Sequence, residues 1–363
     1  MRAVDKARAY GGWLRRRLHD LPLVFQALHA SDAGLHVALP RLFRLVVREE
    51  YSAIEILMLG LVDQAPLVPE ATFISKKCLM RRQLQINPRA CFPYTENKLV
   101  FFQRCAAHGL STPRVRAAVG PRAGDSAGVP IAETPTDLVT QLGPVAPYDF
   151  VFKPTTGVYG RGILALRFDG TTFIGPAGRS HSAEDLFAHA ARTEYRSWLV
   201  QDRIYPHRDL VALAGTNYLQ TARVISYLDA RNHPQIPIAW LRIIGADSVA
   251  DNFKFGMSGN LVGTIDLATG RLEHVLGPKQ PGPGLRVWSH HPGTNAAFDD
   301  FRVPFLDEVR DLVSRAALAF APLRTIGWDV AISDTGPSLI EGNVGWDPLP
   351  TRRDLRTVVA SLQ

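Results

Sequence analysis

Residues Tyr148–Gly162, YDFVFKPTTGVYGRG, set a lysine and three glycines between two apolar runs. Phe150-Val151-Phe152 delivers Lys153. Pro154 then interrupts regular structure, because its ring fixes φ and it has no N–H to donate. Gly157, Gly160 and Gly162 follow, and a second apolar run covers 163–168. The pattern reads as strand, glycine loop, strand. Glycine lets backbone N–H groups approach a bulky anion with no side chain in the way, and a lysine at the mouth of such a loop suits a polyphosphate. The spacing excludes a P-loop, which needs G-x-x-x-x-G-K-[ST], and no helical pattern follows to make a dinucleotide fingerprint. On these residues alone, a plain glycine-bearing hairpin fits as well as a phosphate cradle.

The chain has 363 residues, enough for two or three domains with a sizeable core. With 46% apolar and 21% charged residues its composition is that of an ordinary globular protein. Cys78, Cys91 and Cys105 form no C-x-x-C pair and leave an odd count, which points to a reducing compartment rather than a disulfide framework. The net charge of +7 is unevenly placed: residues 1–120 hold 18 Lys and Arg against 9 Asp and Glu. A solvated basic face, a membrane surface and an acidic partner all fit this excess. Nucleic acid does not, since no binding motif or interleaved aromatics accompany the charge. No apolar run is long enough to span a bilayer and no cleavage site is evident, so a cytoplasmic protein is expected.

Residues 1–62 read as helical, with 33–48 interrupted by Pro40. Ser52-Ala53-Ile54-Glu55 matches a capping box ahead of an apolar stripe, Ile54, Leu57, Met58 and Leu61. Further helices are expected over 72–84, 97–108, 182–189 and 303–320, the second with Leu99, Phe102, Cys105 and Ala106 on one face. Strands are expected over 114–119, 198–201, 222–228, 236–244 and 261–266. The stretch 277–284 reads as a loop. A closing hairpin, 326–333 and 337–342, turns at Asp334-Thr335-Gly336.

That hairpin carries the complementary chemistry. Asp329 lies on one strand, and Glu341 and Asn343 end the next; a two-residue spacing on extended chain puts both side chains on one face. Three converging oxygen-bearing side chains suit Mg²⁺, a hard ion that keeps several waters or phosphate oxygens. A polar strand end is the alternative.

Taken together, the lysine–glycine loop and the distant D…E-x-N resemble the ATP-grasp superfamily, specifically its sugar-transfer-associated branch, related to α-L-glutamate ligases. The matching stretches are YSAIEILMLGL (51–61), Asn97-Lys98 before the helix ending at Gly109, FKPTTGVYGRG, LVQDRI (199–204), TARVIS (221–226), LRIIG (241–245), DNF (251–253), IDLATG (265–270), HP (291–292) and IGWDVAISDTGPSLIEGN (326–343). The resemblance implies an α+β ATP-grasp fold, two subdomains clasping ATP, after a helical N-terminal region at 1–90. It places an N-terminal ATP-grasp part at 91–200, with its lid subdomain from about 110, and a C-terminal subdomain with the metal site at 201–363. It implies that Lys98 and Lys153 contact nucleotide phosphates and that Gly157, Gly160 and Gly162 form a mobile lid. Gln201, Asp202 and Ile204 would lie along the adenine hinge, partly through backbone groups, with a local cap or pair as the alternative for Asp202. Arg223 and Arg242 would lie near the γ-phosphate or acceptor, with pairing to a structural acid as the alternative; Lys254, in a stretch that departs from the family, either reaches phosphate or acceptor or is only solvated. Asp329, Glu341 and Asn343 would hold a pair of Mg²⁺ ions, with Mn²⁺ as the alternative ion.

The activity so implied is ATP-dependent carboxylate–amine ligation, with a small-molecule carboxylate and an amine as substrates, in a sugar or polysaccharide context. A kinase that stops at phosphoryl transfer to a hydroxyl and a non-catalytic nucleotide-binding partner of a glycosyltransferase are the alternatives. The basic N-terminal third would serve a peripheral membrane or glycosyltransferase contact, and self-association stays open. Two stretches depart from the family pattern. DNF continues as Lys254-Phe255-Gly256 where the family shows a Gly-Gly pair, and Gly345-Trp346-Asp347-Pro348 stands where a Pro-Gly is usual. Both bear on the acceptor pocket more than on the metal site.

Overall fold

Burial sets the first labelled helix and cap chemistry several that follow it in the computed structural model, which describes residues 20–120, 128–157, 162–195, 197–245, 248–351 and 353–362. After a helical stretch at 20–30, α1 spans Leu35–Val47 and runs straight through Pro40. Pro40 removes one hydrogen bond, while Ala38 and Leu45, both fully buried, hold the helix to the core on either side of it. In α2, Ala53–Leu59, the Ser52 side chain accepts from the Glu55 N–H, and the Glu55 carboxylate accepts from the Ser52 N–H; Gly60 closes the helix at φ 61°. The expected helix over 72–84 is instead a short 3₁₀ turn, Glu70–Thr72, followed by α3, Lys76–Ile86, capped by Ser75. A single turn, α4 (Pro93–Glu96), precedes α5, Lys98–Ala107. The Asn97 side chain accepts from the N–H groups of Leu99 and Val100, so the cap fixes Lys98 at the first helical position. Phe101 is buried with Leu99 and Cys105; Phe102 is half-buried against the cluster of Leu99 and Leu199, and Ala106 is exposed, so the buried face is wider than expected on one side and narrower on the other.

The first sheet comprises β1 (Val115–Val119), β2 (Ile131–Ala132), β3 (Tyr148–Pro154), β4 (Leu164–Phe168), β5 (Phe173–Ile174), β6 (Ser180–His181) and β7 (Trp198–Asp202). Their spatial order is β2-β1-β7-β3-β4-β5-β6. Between them run α6 (Pro135–Leu142) and α7 (Ala183–Ala191), each opened by a capping box. β3 and β4 pair antiparallel, Phe152 opposite Leu164, so the glycine loop joins a hairpin. Side chains alternate along a strand. Phe150 and Phe152 enter the core with Leu138, Leu142 and Leu186 from the two helices. Lys153 therefore lies on the other face, opposite Leu199, which packs on Leu99 of α5.

After α8 (Arg208–Ala214) comes the second sheet: β8 (Thr221–Leu228), β9 (Pro234–Ile243), β10 (Leu261–Ile265), β11 (Leu272–Pro278), β12 (Leu285–Val287), β13 (Thr325–Ser333) and β14 (Gly336–Asn343). It is antiparallel throughout, in the order β12-β11-β10-β9-β8-β13-β14. β11 takes Gly277 and Pro278 into the ladder, opposite Arg286 and Leu285, so the loop expected at 277–284 is shorter. One face packs on α9 (Leu306–Ala319), through Val309, Leu312 and Val313 against Val224, Leu241 and Val330. This helix starts later than expected because Phe305 turns the chain at φ 56°. The other face, with Ile225, Ile238 and Trp240, is covered by Ile56, Leu57 and Phe73 of the N-terminal region and by Trp346 and Leu355, the last from α10 (Leu355–Ala360).

The chain enters and leaves the first sheet beside one hairpin. Leu339 N–H donates to the Ser111 carbonyl (2.8 Å), Thr112 Oγ1 donates to the Leu339 carbonyl (2.9 Å), and His207 N–H donates to the Ile332 carbonyl (2.7 Å).

Candidate active site

Register aligns the charged side chains of the second sheet. Arg223 of β8 lies directly opposite Asp329 of β13, which lies directly opposite Glu341 of β14. Cross-strand partners share a face, so the three form one row. Arg223 Nε donates to Asp329 Oδ1 at 2.5 Å and Nη2 to Oδ2 at 3.2 Å. Arg242, from β9, brings Nη2 to 2.8 Å from Asp329 Oδ2, and its Nε lies 3.3 Å from Asp251 Oδ2. Asp251 is further held by the Thr221 N–H (2.9 Å) and Oγ1 (2.6 Å), and Arg242 also donates to Thr221 Oγ1. The result is an alternating chain, Arg223–Asp329–Arg242–Asp251, with its charge balanced in a largely buried setting.

Each carboxyl responds differently. Burial acts to raise Asp329, yet the two guanidiniums outweigh it and hold the carboxyl down at about 2. At Asp251 burial prevails over Arg242 and the carboxyl moves up. Glu341 is pushed up by burial and by the negative charge of Asp329, with Lys98 opposing.

Two lysines face this row. Lys153 is buried, 6% exposed, and is lowered to about 8, first by burial and then by the charge of Lys98, with Glu341 opposing. Lys98 is lowered by burial, and Glu341 again opposes. Glu341 is therefore close enough to act on both ammonium groups. The start of α5 is stitched to the glycine loop: Lys98 N–H donates to the Thr155 carbonyl (2.7 Å) and Nζ to the Gly157 carbonyl (3.1 Å). Gly157, at φ 127°, adopts a conformation that a side chain would strain. Gly162 lies at φ 78°, and Gly160 falls outside the described residues.

A floor and a rim result. Lys153, Arg223, Arg242 and Asp329 are buried; Lys98, Glu341 and Asn343 are half-buried. Asn343 Nδ2 donates to Glu341 Oε1 (3.4 Å) and to the Gly327 carbonyl (3.3 Å), which fixes the pair side by side. Carboxylate and amide oxygens are the donors Mg²⁺ prefers, so Glu341 and Asn343 fit that ion. Asp329 stands behind them with both oxygens engaged by arginine. Among the described residues no group of three His, Cys, Asp or Glu side chains is placed to hold a metal. Oxygens from water or phosphate would therefore complete the coordination.

Other expected residues are placed differently. Gln201 is buried and its Nε2 donates to the Pro113 carbonyl at 2.8 Å. Asp202 forms a bidentate pair with Arg116, both contacts 2.7 Å. Both side chains are thus directed at internal partners, which leaves the adenine contacts expected here to backbone groups. Ile204 is half-buried in the connection after β7. Lys254 is exposed in a tight turn at φ 46°, and no contact joins it to the cluster. His291 keeps a turn: its Nε2 is 2.8 Å from the Ile244 carbonyl and its Nδ1 accepts from the N–H groups of Gly293 and Thr294. Asp251 and Thr221 were not expected as site residues. One signal for them was present: two arginines in apolar strands need two acids, and the hairpin supplies only one beside them.

The family model described as sugar-transfer associated ATP-grasp matches residues 80–351. No curated protein matches the sequence significantly. Among solved structures, an ADP complex of N5-carboxyaminoimidazole ribonucleotide synthetase is similar at 12% identity and TM-score 0.40, covering 78% of this chain and 52% of that one. D-alanine–D-alanine ligase from Helicobacter pylori is similar at 10% identity and TM-score 0.43, covering 76% and 63%. D-cycloserine synthetase is similar at 16% identity and TM-score 0.39, covering 77% and 74%. The chain thus spans less than two thirds of the length of the first two.

Proposed function

Because the chain belongs to the sugar-transfer associated ATP-grasp family, we propose that it is an ATP-dependent ligase that activates a carboxylate as an acyl phosphate and joins it to an amine. The observation that carries this reading is that Lys98 and Lys153 lie within electrostatic reach of Glu341, which is paired with Asn343, beside a glycine loop and the Arg223–Asp329–Arg242 row. Phosphoryl transfer needs positioning and charge stabilisation more than a protein nucleophile, and this cluster supplies both.

In the first step a substrate carboxylate oxygen bonds to the γ-phosphorus, the bond to the β,γ-bridging oxygen breaks, and ADP leaves. In the second, the amine nitrogen attacks the acyl carbon, inorganic phosphate leaves, and the nitrogen gives up a proton to form the amide. Lys98 and Lys153 bind the phosphates. Glu341 and Asn343, with Asp329 behind them, would hold Mg²⁺, which when bound would neutralise phosphate charge. Arg223 and Arg242, locked by Asp329 and Asp251, present rigid guanidinium groups to the transferring phosphoryl group. The glycine loop closes over the nucleotide. A sugar or polysaccharide context for these substrates is part of the proposal, supported by the family's association with sugar transfer.

ADP release across a panel of amino acids and acidic sugars, each with and without an amine, tests the reading. Turnover only when carboxylate and amine are both present supports it. Turnover with a hydroxyl compound alone would make the protein a kinase. Full turnover in both Lys153→Ala and Glu341→Ala would remove the cluster from the chemistry.

A further inference from the structure

Each of the first two helices carries a second apolar row that the fold leaves exposed. On the 20–30 helix, Leu21 and Phe25 are exposed; on α1, Leu35, Leu39, Phe43 and Val47 are exposed. Within each helix these positions recur every four residues, so they line one side. Phe25 is 58% exposed and Phe43 65%. On the opposite side, Ala27, Ala38 and Leu45 are buried in the core. A helix needs only one such face to join a globular protein.

The sequence that carries this face also carries the charge. Residues 1–48 hold nine Lys and Arg against three Asp and Glu, while residues 49–363 hold 32 against 31. Almost all of the net positive charge therefore belongs to the segment that carries the apolar rows. Arg44 pairs with Glu70, and Arg41 donates to the Asp63 carbonyl. Arg48 is exposed at the end of α1, and Arg15-Arg16-Arg17 precede Leu21 in sequence.

We propose that this face docks the protein on an anionic lipid surface, with the two apolar rows in the acyl boundary and the arginines at the headgroups. A bilayer offers apolar and anionic groups side by side, the combination that interfacial helices match. A second copy of the chain would bring the same positive charge against itself. Nucleic acid has no aliphatic surface to receive leucine and valine. No helix among the described residues is long and apolar enough to cross a membrane, so the helices lie in the interface plane. The proposal does not depend on the ligase chemistry.

Co-sedimentation of the full chain with vesicles tests it, using phosphatidylcholine alone and phosphatidylcholine with about 30% phosphatidylglycerol. Binding should favour the anionic vesicles by roughly tenfold and weaken at high salt. The double variant F25S/F43S should lose roughly tenfold in partitioning, with its helical circular dichroism and melting midpoint unchanged. The triple variant R15E/R16E/R17E should lose the preference for anionic lipid, and it keeps the test decisive if the first variant folds poorly. Equal weak binding to both vesicles overturns the proposal, as does full binding by both variants. A concentration-dependent dimer that F25S/F43S abolishes, without vesicle binding, would assign the face to a second copy instead.

Discussion

Lys153 stands in the core of the site with its ammonium group already weakened. Its charged form is destabilised by burial and by Lys98, which holds it at about 8. Below that pH the side chain is charged and suited to the phosphate contact proposed for it; above it the charge is lost. ATP affinity, measured by calorimetry, should therefore begin to fall as pH rises through about 8. Lys153→Arg should flatten that fall, because a guanidinium stays charged throughout. Asp329 works in the other direction. Its folded-state carboxyl is depressed to about 2, so its contribution to stability is complete above the ordinary carboxylate range and is lost as pH falls towards 2. Asp329→Asn leaves Arg223 and Arg242 without their shared counter-charge and should cost about 3–5 kcal/mol in urea unfolding. A loss under about 1 kcal/mol would mean that the row tolerates an uncompensated guanidinium. Lys153, Glu341 and Asn343 were legible in the sequence because a lysine before spaced glycines and an E-x-N at a strand end carry their chemistry in local order. The partners of the arginines were not. That Asp329 faces Arg223 is a matter of register between strands more than a hundred residues apart, and Asp251 reaches Arg242 from a loop.

Among the elements, α2 shows how a local signal acquired a distant role. The capping box at Ser52 and Glu55 was readable from four residues. The second carboxylate oxygen of Glu55 was not: it accepts the Lys76 N–H at 2.8 Å and so ties the start of α3 to the start of α2. Glu55 is 2% exposed. Glu55→Ala strips an acceptor from both helix starts and should destabilise by about 2–3 kcal/mol; a thermal shift no larger than that of Ser52→Ala would show the second contact to be idle. The glycine hairpin was legible for a similar reason, since its turn residues and apolar flanks are contiguous. At Gly157 a Cβ would sit 3.0 Å from the Tyr195 ring on a backbone with φ 127°. Gly157→Ala should then lower ADP release roughly tenfold or more with little change in melting temperature, a cost of about 1–3 kcal/mol confined to the loop. Helix faces were read less well: Phe101, which the expected face of α5 did not include, is buried because β13 and the end of α9 bring Trp328 and Phe320 against it, a tertiary contact that no local period encodes.

At the scale of the molecule, two sheets share one charged seam, so nucleotide binding and global stability are linked. ATP with Mg²⁺ at a hundred times its dissociation constant should stabilise the native state by about 2.7 kcal/mol, seen as a rise in melting temperature that Lys153→Ala removes. The two-sheet architecture was visible only through the family pattern, because strand order, and the crossing of β7 between β1 and β3, cannot be read from periodicity. One feature of that architecture reaches further. Ser111 and Thr112 meet Leu339 while His207 meets Ile332, on the two arms of a single hairpin. Everything between 113 and 206 is thus an insertion whose ends sit side by side, on the order of 10 Å apart by strand spacing. Excising it and bridging the gap with a short glycine–serine linker should leave the second sheet and the N-terminal helices as a cooperatively melting unit that no longer binds ATP.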